Sequence, residues 1–265
     1  MSVSGDGLVI VKFGGSVITN KDRLREFRED VCRRLAGELS AWNGDIVLVH
    51  GAGSFGHILA RQHRLHEGFR DESQLKQVAL VQRDVRELNV RVLEALIDSD
   101  IRAVSVPPAA AASFRDGSVT RFDPALFSKM MNLCLAPVTF GDVVPDESMR
   151  FSICSGDLMM QELARHLRPK AAIFCADVDG VFTSDPRQNA DAELISELDR
   201  EAVQRIKQSE STRADVTGSI KGKLERMLAI AENCEKCIIL NGDVPGRLES
   251  ALRDEEPLST KVLPG

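Results

Sequence analysis

The sequence lacks several features that would assign the protein to a large class at once. It has no run of about 18 apolar residues, so no membrane-spanning helix is expected. The residues 1–7 contain no basic region followed by an apolar stretch, so no secretion signal is expected. Basic residues are not in excess, since 34 basic and 40 acidic side chains give a net charge of −6. That balance argues against a protein that binds nucleic acid mainly through charge.

Cysteine is present but forms no regular pattern. The six cysteines are scattered, and most stand in apolar or helical surroundings, which is typical of reduced core residues in a cytoplasmic protein. Cys234 and Cys237 have the spacing of metal ligands, but no second pair follows, so no metal site is expected within the protein. Internal repeats and low-complexity tracts are absent from the sequence. A chain of 265 residues with 43% hydrophobic content can form one large or two small domains.

The first part of the chain alternates apolar strands with glycine-rich loops. Leu8–Phe13 is apolar enough for a strand buried on both faces, and the loop Gly14–Ser16 follows it. A charged amphipathic helix is predicted over Arg23–Trp42. A second apolar strand, Val47–His50, runs into a loop of small residues, Gly51–Gly56. This order predicts a parallel α/β sheet with two loops that suit phosphate at the same edge.

His57 ends the second glycine loop, where the chain is predicted to enter a helix. The amides of small residues form a nest for an anion, and a helix N-terminus adds a positive dipole at the same place. We therefore interpret the loop as a site for a phosphate or another oxyanion beneath His57. A tight strand-to-helix turn without a ligand is the alternative interpretation of the same residues.

Strands and helices continue to alternate beyond the second loop. Hairpins are predicted around Asp116-Gly117 and around Pro145-Asp146. Ser155-Gly156-Asp157 stands at the start of a helix and offers a further place for an anion. The sequence pattern changes after Pro169, and we interpret this change as the boundary between two lobes of one sheet. The other predicted elements are the helices 73–98, 124–133, 158–167, 199–208 and 224–234, and the strands 103–106, 137–144, 171–176, 237–240 and 260–263.

Glycine loops and lysines together favour phosphoryl transfer. Lys12 and Lys21 stand beside the first loop, and a distal Gly-x-Lys segment ends at Lys223. Phosphoryl transfer needs amides and cations around the phosphates and little covalent work from the protein. The first strand is not followed by the Gly-x4-Gly-Lys-[Ser/Thr] loop of P-loop enzymes. The His-Arg-Asp and Asp-Phe-Gly signatures of protein kinases are missing as well.

These motifs as a set resemble the amino acid kinase superfamily and, within it, the isopentenyl phosphate kinases. They occur in the order typical of that superfamily and cover nearly the whole chain. The loop that ends in His57 carries most of the resemblance to the isopentenyl phosphate kinases. The matching segments are KFGGSVITNK (12–21), HGAGSFGH (50–57), GDVV (141–144), SGD (155–157), DVDGVFT (177–183), DVTG (215–218), GK (222–223) and NGDVPG (241–246).

The resemblance implies an open αβα sandwich with a mainly parallel sheet and hairpin excursions, usually as a homodimer. It implies that residues 1–168 bind a phosphate monoester acceptor and that residues 169–265 bind ATP. Mg²⁺ would accompany ATP, held mainly by phosphates and water. The implied catalytic residues are Lys12, Lys21 and His57, of which Lys21 would stabilise the transferring phosphoryl group. The implied acceptor site is Ala52, His57 and Gly156, and the implied ATP site is Lys12, Gly14, Gly15, Ser16, Gly53, Asp177, Phe182, Ser219 and Lys223.

The identity of the acceptor is open at this point. A phosphorylated acceptor brings its own anionic nucleophile, so the enzyme needs a hydrogen-bond donor such as His57 rather than a general base. Isopentenyl phosphate, converted to the diphosphate for isoprenoid synthesis by an alternative mevalonate route, is the favoured acceptor. The alternatives are a fosfomycin-type kinase with a small phosphonate acceptor and a non-catalytic nucleotide-binding regulator on the same fold. Only a prenyl tail needs an apolar tunnel, whose wall we expect from residues 73–96.

Two positions depart from the pattern of the superfamily. Ser219 stands where a second glycine is common, and a backbone contact would survive that change. Phe182 replaces a common tyrosine, so stacking would survive but a hydroxyl hydrogen bond would be lost. Two implied roles also have simpler alternatives, since Lys21 could be a solvated charge before a helix and Asp177 a turn residue.

Overall fold

The computed structural model describes the backbone of residues 6–211 and 218–265 and the side chains of residues 6–206 and 222–265. The strands are β1 (Leu8–Phe13), β2 (Asp45–His50), β3 (Ala103–Ser105), β4 (Ala112–Arg115), β5 (Ser118–Phe122), β6 (Ala136–Phe140), β7 (Asp142–Asp146), β8 (Arg150–Cys154), β9 (Ala171–Ala176), β10 (Val181–Phe182), β11 (Leu194–Ile195), β12 (Glu197–Leu198), β13 (Lys236–Asn241) and β14 (Ser259–Val262). The helices are α1 (Gly15–Ile18), α2 (Glu29–Leu39), α3 (Gly53–Gln62), α4 (Ser73–Ile97), α5 (Pro108–Ala111), α6 (Pro124–Met131), α7 (Gly156–Leu167), α8 (Arg200–Ser211), α9 (Gly218–Ala231) and α10 (Arg247–Leu252), with a short 3-10 helix over Leu65–Glu67.

An eight-stranded sheet lies at the centre, in the order β12-β14-β13-β9-β1-β2-β6-β3. Its described pairings are parallel except that of β13 with β14. β1 is central because its residues Val9, Ile10 and Val11 are fully buried and suit a strand covered on both faces. The predicted mainly parallel sheet, with β1 beside β2, is confirmed.

Helices cover both faces of this sheet. Val9 and Val11 of β1 point into one core, which contains apolar side chains from α2, α4 and α10. Ile10 points into a second core, formed mainly with α7, α8 and α9. This alternation follows from the two-residue period of a strand. The predicted αβα sandwich is therefore confirmed.

Helix α2 begins later than predicted. The expected start at Arg23 is wrong, because α2 begins at Glu29. The amide of Asn20 bonds the carbonyl of Glu26 at 3.0 Å, and Thr19 pairs with Phe27 in an antiparallel bridge. The chain therefore turns back on itself after α1 before it enters α2, and this turn holds Lys21 near the sheet edge.

Two hairpins leave the main sheet, and one of them is shifted from its predicted position. The hairpin of β4 and β5 turns at Asp116-Gly117, as predicted. The second predicted hairpin is formed by β7 and β8, but Pro145 and Asp146 lie within β7 and the turn follows at residues 147–149. The carboxylate of Asp146 instead accepts backbone N–H groups of Gly117 and Met149, both at 2.9 Å. It thereby holds the turns of both hairpins together.

Other predictions differ in their boundaries. The expected strand 137–144 is divided at Gly141, where β6 ends in the main sheet and β7 leaves it. Helix α9 begins at Gly218, six residues before the predicted 224. Residues 215–217 of the predicted DVTG motif lie outside the described residues. No helix in the described part of the chain is long and apolar enough to span a membrane.

Candidate active site

A cleft of about 490 Å³ opens at the carboxyl ends of the central strands. Because β1, β2 and β9 are parallel neighbours, the loops that follow them meet at one edge of the sheet. The loops after β1, β2 and β9 line the cleft together with the start of α7 and part of α9. This position follows the rule for ligand sites in open α/β sheets.

The two glycine loops touch backbone to backbone. A Cβ atom on Gly15 would lie 2.5 Å from the amide nitrogen of Gly53, and one on Gly51 would lie 2.5 Å from the amide nitrogen of Gly15. Gly53 also has a φ of +49°, which favours glycine. Only glycine allows this approach, which brings the start of α3 next to the first loop.

Lys12 reaches the cleft from β1 and is paired with Asp157. Lys12 Nζ lies 2.6 Å from Asp157 Oδ1, and Asp157 stands in the first turn of α7. Burial opposes ionisation of Asp157, but the charges of Lys12 and Lys223 outweigh it and keep the pKa of this carboxyl below its usual value. Asp157 is thus a fixed anion that holds one of the site's cations.

Lys21 also lines the cleft and contacts Asp177, which follows β9. Asp177 Oδ2 also accepts a hydrogen bond from Arg187 at 2.6 Å. Partial burial raises the pKa of Asp177, yet Lys21 and Arg187 together hold it well below its ordinary range. Asp177 is therefore ionised and serves as the counter-ion of Lys21.

Lys223 completes a group of cations at the cleft. Its side chain presents exposed surface to the cleft, yet protein atoms displace much of the water around the ammonium group. This loss of water lowers the pKa of Lys223, and the charge of Lys12 lowers it further, while Asp157 and Asp177 oppose the shift. Three cations around one cleft form an electrostatic site for a polyanion.

His57 presents its ring to the same cleft from the first turns of α3. The ring has exposed surface, but neighbouring protein removes part of its hydration and lowers the pKa of His57. The charge of Lys12 lowers this pKa further, and Asp157 acts in the opposite direction. An anion bound here would favour the imidazolium, so His57 can donate a hydrogen bond to a phosphate near neutral pH.

One end of the cleft is apolar. Val81 and Val85 of α4, which fall within the predicted wall 73–96, line this end of the cleft. The other apolar side chains at the cleft are Ile58, Ala60, Val143, Ile153, Phe174, Met227 and Ile239. The site therefore combines a cationic part with a region that can take a hydrocarbon group.

Most predicted site residues meet in this cleft, namely Lys12, Gly14, Gly15, Ser16, Lys21, Ala52, Gly53, His57, Gly156, Asp177 and Lys223. Phe182 is not among the described residues that line it, because it lies in β10, opposite Leu194 of β11. Ser219 belongs to the first turn of α9, and its side chain lies outside the described residues. Asp157 was not predicted as a site residue. Its position in the sequence was a usable signal, because it is an acidic residue at the predicted start of a helix, beside a place that suits an anion.

Carboxylates at the cleft are already engaged with cations. Asp157 pairs with Lys12, and Asp177 pairs with Lys21 and Arg187. Among the described residues, no group of three or more metal-ligating side chains occurs.

Comparison with known proteins assigns the family. The amino acid kinase family model matches residues 7–241. The chain is 35% identical to isopentenyl phosphate kinase of Methanothermobacter thermautotrophicus, over 96% of this chain and 98% of that protein. The chain belongs to the amino acid kinase family, among its isopentenyl phosphate kinases. Isopentenyl phosphate kinase of Thermoplasma acidophilum is 34% identical, over 91% of this chain and 94% of that protein.

Solved structures agree with this assignment. X-ray structures of isopentenyl phosphate kinase match with a TM-score of 0.83 and 33% identity, over 96% of this chain and 99% of the matched chain. A substrate complex of isopentenyl phosphate kinase matches with a TM-score of 0.82 and 30% identity, over 97% and 99% of the two chains. A UMP kinase from Ureaplasma parvum, at 13% identity and a TM-score of 0.65, shares the fold.

Proposed function

We propose that this protein transfers the γ-phosphoryl group of ATP to isopentenyl phosphate and forms isopentenyl diphosphate. The observation that carries the proposal is the composition of one cleft, where His57 and the cations Lys12, Lys21 and Lys223 adjoin an apolar wall. The cationic part suits two phosphate groups, and the apolar part suits a short hydrocarbon chain. Relatives named isopentenyl phosphate kinase that match over nearly the whole chain support the same reaction.

The acceptor phosphate needs a site next to the ATP phosphates. The N–H groups at Ala52 and Gly156 and the ring of His57 would bind it. Gly14, Gly15, Ser16, Gly53, Lys12 and Lys223 would bind the phosphates of ATP, with Asp177 beside them. Adjacent phosphates repel each other, and this group of donors and cations offsets that repulsion.

The reaction needs no general base. An oxygen of the acceptor phosphate is already anionic, so it attacks the γ-phosphorus directly while the bond to the bridging oxygen of ADP breaks. Charge develops on the transferring group and on the leaving oxygen, and Lys21 would stabilise the former. The protein's contribution is therefore placement and charge stabilisation.

The apolar wall favours a prenyl acceptor over a small phosphonate. Ile58, Ala60 and Ile153 line the cleft and are partly exposed, so their apolar surface would stay in water if the acceptor had no hydrocarbon chain. Covering such surface contributes about 25 cal/mol per Å². This contribution separates isopentenyl phosphate from an acceptor of fosfomycin type.

Several further properties belong to the same proposal. Because the cleft carboxylates are engaged with Lys12 and Lys21, Mg²⁺ would be held by phosphate oxygens and water. It would supply positive charge to the transferring group. Residues 1–168 would bind the acceptor, and residues 169–265 would bind most of the ATP. A homodimer in the cytoplasm is the expected state of the enzyme, as is usual in the family.

The decisive experiment is Mg-ATP-dependent phosphorylation of isopentenyl phosphate, with fosfomycin tested in parallel. We expect turnover on isopentenyl phosphate, at least a tenfold loss in His57→Ala, and normal activity in His66→Ala, since the His66 side chain is 60% exposed. Preference for fosfomycin would contradict the proposed acceptor. ATP binding without turnover on either compound would support the regulatory alternative instead.

A further inference from the structure

A single hydroxyl group joins the two glycine loops. Thr19 Oγ1 donates a hydrogen bond to the carbonyl of Gly15 at 2.7 Å and accepts one from the amide of Ser54 at 2.9 Å. Gly15 belongs to the loop proposed to bind ATP, and Ser54 belongs to the loop proposed to bind the acceptor phosphate. Thr19 is 1% exposed, so water does not compete for either bond.

The hydrogen bond to Ser54 replaces a cap that α3 does not have. The first N–H groups of a helix have no partner within the helix, and a side chain at the N-cap position usually accepts one of them. The N-cap residue of α3 is Ala52, whose side chain makes no such bond. Thr19 supplies the acceptor from another loop, so the first turn of α3 is positioned relative to Gly15.

His57 depends on this same turn of α3. Ser54 and His57 are three residues apart in the helix and therefore lie on neighbouring parts of its surface. Any movement of the Ser54 amide away from Thr19 would also move His57 relative to the first glycine loop. The hydroxyl of Thr19 thus connects the side chain that meets the acceptor phosphate with the backbone that meets ATP.

Little free space separates the parts that Thr19 connects. A Cβ atom on Gly53 would lie 2.2 Å from Thr19 Oγ1 and 2.8 Å from the carbonyl oxygen of Gly15. Contact prevents the loops from moving closer, and the hydrogen bonds of Thr19 oppose their moving apart. We infer that Thr19 is a positioning residue that sets the separation between the phosphates of ATP and of the acceptor, an inference that rests on the proposed function.

The valine variant of Thr19 isolates the hydroxyl group. Thr19→Val keeps the shape of the side chain but leaves the buried amide of Ser54 without its acceptor. The carbonyl of Gly15 still accepts the backbone N–H of Thr19 at 3.0 Å, so the first loop keeps its own structure. Because misplacement by about 1 Å can lower a rate about 100-fold, we expect kcat to fall by about 10- to 100-fold.

The test compares Thr19→Val, Thr19→Ser and Thr139→Val with the unmodified protein. Thr139 is a matched control because it is fully buried and its Oγ1 has no hydrogen-bond partner among the described residues. In Thr19→Val we expect the loss in kcat, with Kd values for ATP alone and for isopentenyl phosphate alone within about threefold of normal. Thr19→Ser, which keeps the hydroxyl, should recover most of kcat, and Thr139→Val should keep it.

Hydrogen exchange at the Ser54 amide gives a second measurement that needs no substrate. We expect this amide to lose protection in Thr19→Val and to keep it in Thr19→Ser. Unchanged kcat, unchanged Ser54 protection, or weaker binding of one substrate at normal kcat in Thr19→Val would each overturn the inference. Failure of the unmodified protein to phosphorylate isopentenyl phosphate would contradict the proposed function, and Ser54 exchange would then still decide whether Thr19 joins the loops.

Discussion

Lys12 Nζ lies 2.6 Å from Asp157 Oδ1, although 145 residues separate them in the chain. Lys12 belongs to the central strand β1, and Asp157 belongs to the first turn of α7. The contact therefore connects the sheet to the helix that begins with Gly156. It also fixes the direction of an ammonium group that would otherwise be repelled by Lys223.

Replacing Asp157 should affect both stability and catalysis. Asp157→Asn leaves Lys12 without its counter-ion beside Lys223, and breaking such a pair costs on the order of 3 kcal/mol. We expect Tm to fall in the free protein and to recover in part with ATP, whose phosphates replace the missing negative charge. We also expect kcat to fall by about 10- to 100-fold, because Lys12 is no longer held in place.

The control for Asp157 is Asp98→Asn. Asp98 pairs with Arg33 at 2.6 Å, and both side chains are about half exposed. Exposed pairs contribute about 0–1 kcal/mol, so this variant should keep normal Tm and kcat. If Asp157→Asn behaved like Asp98→Asn, the proposed role of Asp157 would be wrong.

The affinity for isopentenyl phosphate should depend on pH through His57. Lost hydration and the charge of Lys12 lower the pKa of His57 in the free protein, whereas a bound phosphate stabilises the imidazolium and raises it. Affinity should therefore fall as pH rises from the lowered pKa of His57 in the free protein to its higher pKa in the complex.

The comparison for His57 is the His57→Gln variant, which donates a hydrogen bond but does not titrate in this range. Kd for isopentenyl phosphate is measured between pH 5 and 8 for both proteins. The ratio of the two Kd values at each pH cancels the effect of the ligand's own titration. An affinity ratio that stays constant with pH would show that the charge of His57 does not contribute to binding.

A larger side chain at position 81 should shorten the proposed acceptor site. Val81 is 2% exposed and lines the apolar end of the cleft. In Val81→Phe the larger ring would occupy space proposed for the prenyl chain, so KM for isopentenyl phosphate should rise at least tenfold while Kd for ATP is unchanged. Val90→Phe on the same helix is the control, because Val90 is 52% exposed. Equal effects of the two variants would contradict the assignment of this wall.

His50 should remain neutral well below the usual pH for histidine. Its Nδ1 lies 3.1 Å from the carbonyl of Gly51, which can only accept, so Nδ1 carries the proton and Nε2 accepts from Asn89 Nδ2 at 3.2 Å. Ser105 Oγ in turn donates to Asn89 Oδ1 at 2.6 Å. Complete burial lowers the pKa of His50 to about 4.

The shift at His50 makes part of the stability pH-dependent. The unfolded chain takes up this proton near pH 6.5, whereas the folded protein resists it until about pH 4. The contribution of His50 to the free energy of unfolding is therefore fully present above about pH 6.5. It falls by on the order of 3 kcal/mol as the pH decreases toward 4. Imidazole nitrogen NMR should show His50 with a protonated Nδ1 at pH 5.5, and a titration midpoint near 6.5 would refute this prediction.

The strands and the glycine loops were predictable from the sequence because their causes are local. Apolar, β-branched runs such as Leu8–Phe13 favour buried strands wherever they stand. The start of α2 and the turn of the second hairpin were not predictable in this way. The first depends on the pairing of Thr19 with Phe27, and the second on the bonds of Asp146 to turns in two hairpins.

The sequence by itself determined the class of fold, the family and the residue types that suit phosphate, because glycine loops and lysines carry that chemistry in their local pattern. Only the tertiary structure decided that Asp157 holds Lys12, that Val81 and Val85 form the apolar wall, and that Thr19 connects the loops. Each of these contacts joins segments that are distant in the chain. Their geometry depends on how the sheet and helices pack, which no local pattern specifies.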